Sequence, residues 1–154
     1  MPSGGSGGSS EEWEHICDVV ISSDDALTSV HQDLGGSFKK LWIACEEHGS
    51  GPFNGSGPLV LKLNHGSNAA YACRLPTSES WASYSFYMEL GPSLRDDNGS
   101  KAVSGYVSWC GNYGSGISGI AGRLYTGEYI NSFYMLVPNG TLNEHKWKVY
   151  GVRA

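Results

Sequence analysis

Charge is scarce in this sequence. Only 16% of its 154 residues are Asp, Glu, Lys or Arg, against about 25% in an average globular domain. The formal net charge is -5, and no basic cluster exceeds the pair Lys39-Lys40. A nucleic-acid partner wants a basic stripe against its phosphates, so none is expected. No run of about 18 apolar residues occurs, which argues against membrane insertion. The first residues lack the charged-then-apolar pattern of a secretory leader, so export by that route is not expected. Helical periodicity is also missing; Thr77–Ser83 has room for one short helical turn.

Catalytic patterns are equally sparse. No serine sits in Gly-x-Ser-x-Gly at a strand-to-helix elbow. The glycine-rich run 111–122 has no lysine where a phosphate loop needs one and no βαβ unit around it. A glycosidase needs two acids facing one cleft; Glu46, Glu47, Glu79, Glu89 and Glu128 are candidates only by number. His15-x-Cys17 and Cys45-x-x-His48 offer zinc-type side chains, the first pair reading as one strand face. Asp96-Asp97-Asn98-Gly99 offers oxygen ligands without the calcium-loop spacing, and Asp24-Asp25 offers less. Core cysteines, surface histidines and solvated turn acids account for these groups. No enzyme activity, metal or cofactor is expected.

What the sequence does hold is glycine (22 residues), a 40% hydrophobic share and a 12% aromatic share that includes five tryptophans. Residues 1–12 read as a flexible Gly/Ser linker, and residues 13–154 as one domain, long enough for a real core. Within it, apolar and polar residues alternate with period two. Trp13, Cys17, Val19 and Ile21 share one face of a first strand. Leu41, Ile43 and Cys45 align, as do Leu59, Leu61 and Leu63, and Ala69, Tyr71, Cys73 and Leu75. The clearest case is Ala82–Leu90, with Ala82, Tyr84, Phe86, Met88 and Leu90 on one side and Ser83, Ser85, Tyr87 and Glu89 on the other. Val103–Trp109 and Tyr129–Val137 repeat the habit. Lys146–Val152 is apolar on both faces and is expected to be a central strand. Asn54-Gly55, Asn98-Gly99 and Asn139-Gly140 suit hairpin turns, and Asp33-Leu34-Gly35-Gly36-Ser37 reads as another loop. About nine short strands spaced this way predict an all-β, antiparallel β-sandwich of jelly-roll-like type.

Four cysteines allow two disulfides or free thiols. Cys17, Cys45 and Cys73 fall on apolar strand faces, where a thiol behaves as a small core residue.

Both ends carry a family pattern. Val137-Pro138-Asn139-Gly140-Thr141 is followed by Lys146-Trp147-Lys148-Val149-Tyr150-Gly151-Val152-Arg153-Ala154. The opening has Trp13-Glu14-x-Ile16-x-Asp18, then Phe38-Lys39-Lys40-Leu41 after a Gly-rich loop, and Ile130-Asn131-Ser132-Phe133 precedes the final hairpin. These segments resemble the β-sandwich head domain of tailed-phage tail fibre and receptor-binding proteins. The resemblance implies a virion (tail) location, synthesis in a bacterial cytosol, and a homo-oligomer, a trimer if the domain caps a fibre. A host cell-surface glycan or protein receptor is the partner it implies. It supplies no binding residues.

A candidate surface comes from the residues themselves. Trp109, Tyr113, Tyr125 and Tyr129 cluster around the Gly111–Gly127 stretch, with Asn112 and Arg123 beside them. The stretch reads as a long loop around a weak strand. Aromatic faces stack on sugar rings, and Asn and Arg hydrogen-bond hydroxyls, so these six residues are the expected ligand-binding set. Packing of those aromatics on the core explains the same pattern. Three other functions remain open: a secreted lectin-like protein, for which Asn54, Asn98 and Asn139 sit in glycosylation sequons, a small glycan hydrolase, and a structural virion adaptor.

Overall fold

A computed structural model gives the architecture. It describes residues 11–22, 27, 29–45, 53–55, 59–64, 70–74, 82–90, 101–111, 114–124 and 129–154. Eleven strands are present among them: β1 (Glu14–Ile21), β2 (Ser29–Cys45), β3 (Phe53–Gly55), β4 (Val60–Leu63), β5 (Ala70–Arg74), β6 (Ala82–Leu90), β7 (Lys101–Gly111), β8 (Gly114–Leu124), β9 (Ile130–Leu136), β10 (Gly140–Leu142) and β11 (His145–Arg153). There is no helix among the described residues. Every ladder is antiparallel. The expected all-β antiparallel class is therefore correct. The short helical turn expected near Thr77 lies mostly outside the described residues, and Ala82 and Ser83 belong to β6.

Nine strands form one continuous sheet, ordered β5-β4-β9-β2-β6-β7-β8, with β11 joined to β2 and β1 joined to β11. β3 and β10 form a separate small ribbon. The long strand β2 makes the sheet continuous. Its first part, Ser29–Asp33, pairs with β9, and its second part pairs with β6 on one side and β11 on the other. Between them the register breaks from Asp33 to Phe38, and Gly35 takes φ +68°. The segment read as a loop is thus a kink within one strand. Glycine supplies the left-handed residue that such a bulge needs, and Leu34 anchors it from the core, 6% exposed. Beyond the kink the sheet closes on itself, with β5 lying alongside β7 and β8.

The core lies inside this curl. Leu41, Ile43, Phe86, Met88, Val107, Trp147 and Val149 are fully buried. They are the inward residues of β2, β6, β7 and β11, as alternation predicts. β11 sits between β1 and β2, so it is paired on both edges as expected of a central strand, but only one of its faces meets the core: Trp147 and Val149 point inward, whereas Lys146, Lys148 and Tyr150 point outward. Cys45 and Cys17 face inward, and burial pushes the Cys17 thiol up. Cys110 is exposed and all three are free thiols. The side chain of Cys73 is outside the described set.

The first strand departs from the expected pattern. Its register shifts between His15 and Cys17, a bulge centred on Ile16. An extra residue reverses the alternation. Cys17, Val19 and Ile21 point inward as expected, but Trp13 does not join them. It stands 40% exposed with its ring 6.0 Å from that of Tyr87. The same bulge separates His15 from Cys17: His15 pairs with outward Tyr150 and Cys17 with inward Val149. Glu11, expected to belong to the linker, is tied to the sheet by ion pairs to Lys40 and Lys39.

The Asn-Gly pairs divide. Residues 137–140 form a turn closed by Gly140 N–H donating to the Val137 carbonyl at 3.2 Å. Asn54-Gly55 instead lies within β3, opposite Thr141 and Gly140. Asn98-Gly99 lies outside the described residues, as do Asp24-Asp25, His48 and Asp96-Asp97.

Candidate functional site

Of the six residues singled out from the sequence, the three that are described do not all come together. The Gly111–Gly127 stretch is mainly strand, not loop: β8 pairs with β7 along its whole length, from Lys101 with Leu124 to Gly111 with Gly114. Its glycines misled the reading, because glycine weakens a strand; here Ile120 and Leu124 anchor it, at 5% and 1% exposure. Glycine at 116 is a packing requirement. A Cβ there would come within 2.7 Å of the Trp109 indole, so the missing side chain lets that ring lie across β8. Trp109 accordingly packs against the core from the end of β7. Arg123 pairs in register with Ala102 at the other end of the hairpin. The seven residue steps from Ala102 to Trp109 span roughly 23 Å at the usual strand rise. Tyr129 stands at the Lys101 end, 41% exposed, with the Lys101 ammonium 3.5 Å from its ring centroid. Asn64 fixes that corner: at φ 56° it donates Nδ2–H to the Tyr129 carbonyl at 3.0 Å and accepts from Asn131 N–H at 2.9 Å. Asn112, Tyr113 and Tyr125 lie outside the described residues. Of the expected set, then, Trp109 is separated from Arg123 and Tyr129.

A different arrangement appears on the outer face. The register places one aromatic residue on each of several neighbouring strands. His15 of β1 is opposite Tyr150 of β11, Tyr150 opposite Trp42 of β2, Trp42 opposite Tyr87 of β6, and Tyr87 opposite Tyr106 of β7. The rings touch along much of this row. Centroids are 5.3 Å apart for His15–Tyr150, 5.4 Å for Tyr150–Trp42 and 5.3 Å for Tyr87–Tyr106. Cross-strand aromatic pairs stabilise a sheet, yet this row is not covered: Trp42 is 43% and Tyr106 44% exposed. Trp13 adds a further ring beside Tyr87.

Polar groups frame the row. Trp42 Nε1–H donates to Ser85 Oγ. A shallow depression of about 280 Å³ lies beside Trp42, lined also by Ala44, Ser85, Ser108 and, from the expected set, Trp109. On one flank Lys40 pairs with Glu11 and, at 3.3 Å, with Glu89, which also accepts from the Tyr87 hydroxyl at 2.9 Å. The hydrogen bond to Lys40 holds the Glu11 carboxyl below its ordinary range and raises Lys40 in turn. Burial, then Glu89, pushes the Tyr87 phenol up. On the other flank His15 Nε2–H donates to Asp18 Oδ1 at 2.8 Å and Lys146 approaches Oδ2 at 3.2 Å. The His15 bond first, then Lys146, lowers the Asp18 carboxyl. On these two flanks Lys40, Glu11, Glu89, His15, Asp18 and Lys146 are paired with one another.

Among the described residues no group of three or more His, Cys, Asp or Glu gathers as metal ligands would. Models of known protein families and curated protein sequences contain no match to this chain.

The sequence held one signal for the row. Tyr87 stood on the polar side of the clearest alternating strand, and Trp42 stood opposite Leu41, Ile43 and Cys45 in its own. Their alignment depends on pairing register between strands far apart in the chain, which alternation within one strand does not encode.

Proposed function

We propose that this domain is a non-catalytic recognition module that holds a glycan against its outer aromatic row. The row itself carries the reading. Tyr150, Trp42, Tyr87 and Tyr106 share one register on four neighbouring strands, and Trp42 and Tyr106 remain more than two-fifths exposed. A contiguous apolar strip with a polar rim marks an interaction surface. A pyranose matches it, with C–H groups for the aromatic faces and hydroxyls for Ser85, Ser108 and the tyrosine phenols.

The setting we favour is the tip of a tailed-phage fibre or similar appendage, where the glycan belongs to a host-cell receptor and the domain assembles as a homotrimer. The family pattern at both chain ends supports it, and so do the free thiols Cys17, Cys45 and Cys110, which suit synthesis in a reducing cytosol. An array of immobilised glycans tests the binding. The wild-type domain retains at least one glycan class, and Trp42→Ala loses it with an unchanged far-UV circular dichroism spectrum. Retention by Trp42→Ala at the wild-type level, or no retention by wild type, removes the reading. Light scattering on the same sample tests the trimer.

A further inference from the structure

We infer that the β8 end of the aromatic row is the primary subsite, and that it takes an uncharged pyranose ring stacked on the face of Tyr106 that looks over Gly119. This rests on the glycan reading above and narrows it to a place and a ligand class.

The geometry at Tyr106 is specific. Its ring stacks on that of Tyr87 at 30° between planes, so the face toward β6 is occupied. On the opposite side the next strand is β8, and the residue in register with Tyr106 is Gly119. A Cβ at Gly119 would meet nothing within 4 Å. The row therefore ends on a spare aromatic face beside open space. The other end of the row is His15 on β1, a smaller ring that is tied to Asp18.

The surroundings select the ligand. Within one register step on the same face, β7 presents Ser104 and Ser108, and β8 presents Ile117 and Ala121. None is charged, and Ile117 is 68% exposed. Glu89, in register with Ser104, is engaged by Lys40 and the Tyr87 hydroxyl. Among the described residues an anionic or cationic ligand would find no free counter-charge within that step and would lose hydration. A neutral ring, apolar on its face and hydroxylated at its rim, fits the aromatic face with Ser104 and Ser108 beside it. Strands lie about 4.8 Å apart, so further sugars of a chain running across the sheet would meet Tyr87, Trp42 and Tyr150 in turn.

Titration calorimetry with soluble oligosaccharides tests this. The panel contains neutral cello-, manno-, malto- and chito-oligosaccharides and acidic oligogalacturonides and oligosialic acid. The variants are Tyr106→Ala, Tyr106→Phe, Gly119→Val and Gly119→Trp. A neutral member binds wild type; Tyr106→Ala and both Gly119 variants weaken it at least about tenfold, the scale of one lost aromatic stack with its buried area. Tyr106→Phe keeps the affinity, because the ring face and not the hydroxyl makes the contact. Melting temperatures near wild type show that the Gly119 variants fold; should the tryptophan variant not fold, the valine variant decides. Binding that survives Tyr106→Ala and Gly119→Val but is lost in Trp42→Ala overturns the subsite and leaves the glycan reading intact. Preference for the acidic members overturns the ligand class. Absence of any binding, or self-association that Tyr106→Ala abolishes in light scattering, overturns both.

Discussion

Replacing Gly105 with alanine tests the register on which the aromatic row depends. Gly105 faces Met88 across the β6–β7 ladder, one residue before Tyr106. A Cβ at this position would fall 1.9 Å from the Tyr87 carbonyl oxygen, 2.8 Å from its carbon and 3.0 Å from Met88 Cα. All three atoms are backbone, so no side chain can swing aside. Restoring an ordinary carbon–oxygen contact of about 3.3 Å needs the strands to part by roughly 1.4 Å. A ladder hydrogen bond of about 2.9 Å stretched that far is broken. Two such bonds at about 1 kcal/mol each, with about 1 kcal/mol for the disturbed Tyr87–Tyr106 stack, give a destabilisation near 3 kcal/mol. Urea unfolding followed by tryptophan fluorescence measures it as a lowered midpoint at constant slope. In a domain of this size the melting temperature should drop by roughly 6–12 °C. A loss below about 0.5 kcal/mol, the range of ordinary surface changes, would refute the close approach of β7 to β6, and with it the pairing of Tyr87 with Tyr106.

Further outcomes follow from the same structure. Far-UV circular dichroism should show strand with very little helix; helix near the globular average of about a third would contradict the sheet. Thiol titration of the native protein should find Cys110 reacting at once and Cys45 only after denaturation, with Cys17 slowed because its raised pKa leaves less thiolate. Asp18 and Glu11 have folded pKa values below their unfolded ones. Their stabilisation is therefore complete above about pH 5 and fades as pH falls through the lower folded values. Asp18→Asn should flatten that acid limb in a series of melting curves, whereas an unchanged limb would show that the His15 and Lys146 contacts contribute nothing in solution. Gly116→Leu should displace Trp109 and blue- or red-shift its emission while β8 stays paired; an unaltered spectrum would place the indole elsewhere.

Much of the fold was legible because alternation reports which side of a strand meets the core. Ala82–Leu90 was legible with its boundaries and its faces, and β11 is paired on both edges as expected, although only its Trp147 and Val149 face meets the core. The errors share a cause: they sit where one residue changes the count. Ile16 adds a bulge that turns Trp13 outward, and Gly35 hides the continuity of a 17-residue strand behind a loop-like composition. Glycine misled again at β8, where it reflects the space taken by Trp109 and left open beside Tyr106. The aromatic row was only half legible. That Tyr87 faced outward followed from its own strand, but its alignment with Trp42 and Tyr150 is a property of two pairings that join distant parts of the chain.

The most direct test of the central claim is nuclear magnetic resonance of the five tryptophan indole N–H groups during titration with the neutral and acidic oligosaccharides. Trp42 donates its indole hydrogen to Ser85 within the row, while Trp147 is fully buried beneath it. A glycan bound on the outer face should shift the Trp42 signal, with a smaller change at Trp13, and leave Trp147 unmoved. A saturable shift confined to Trp109, or saturable binding that moves none of the five, would place the ligand elsewhere and contradict the account.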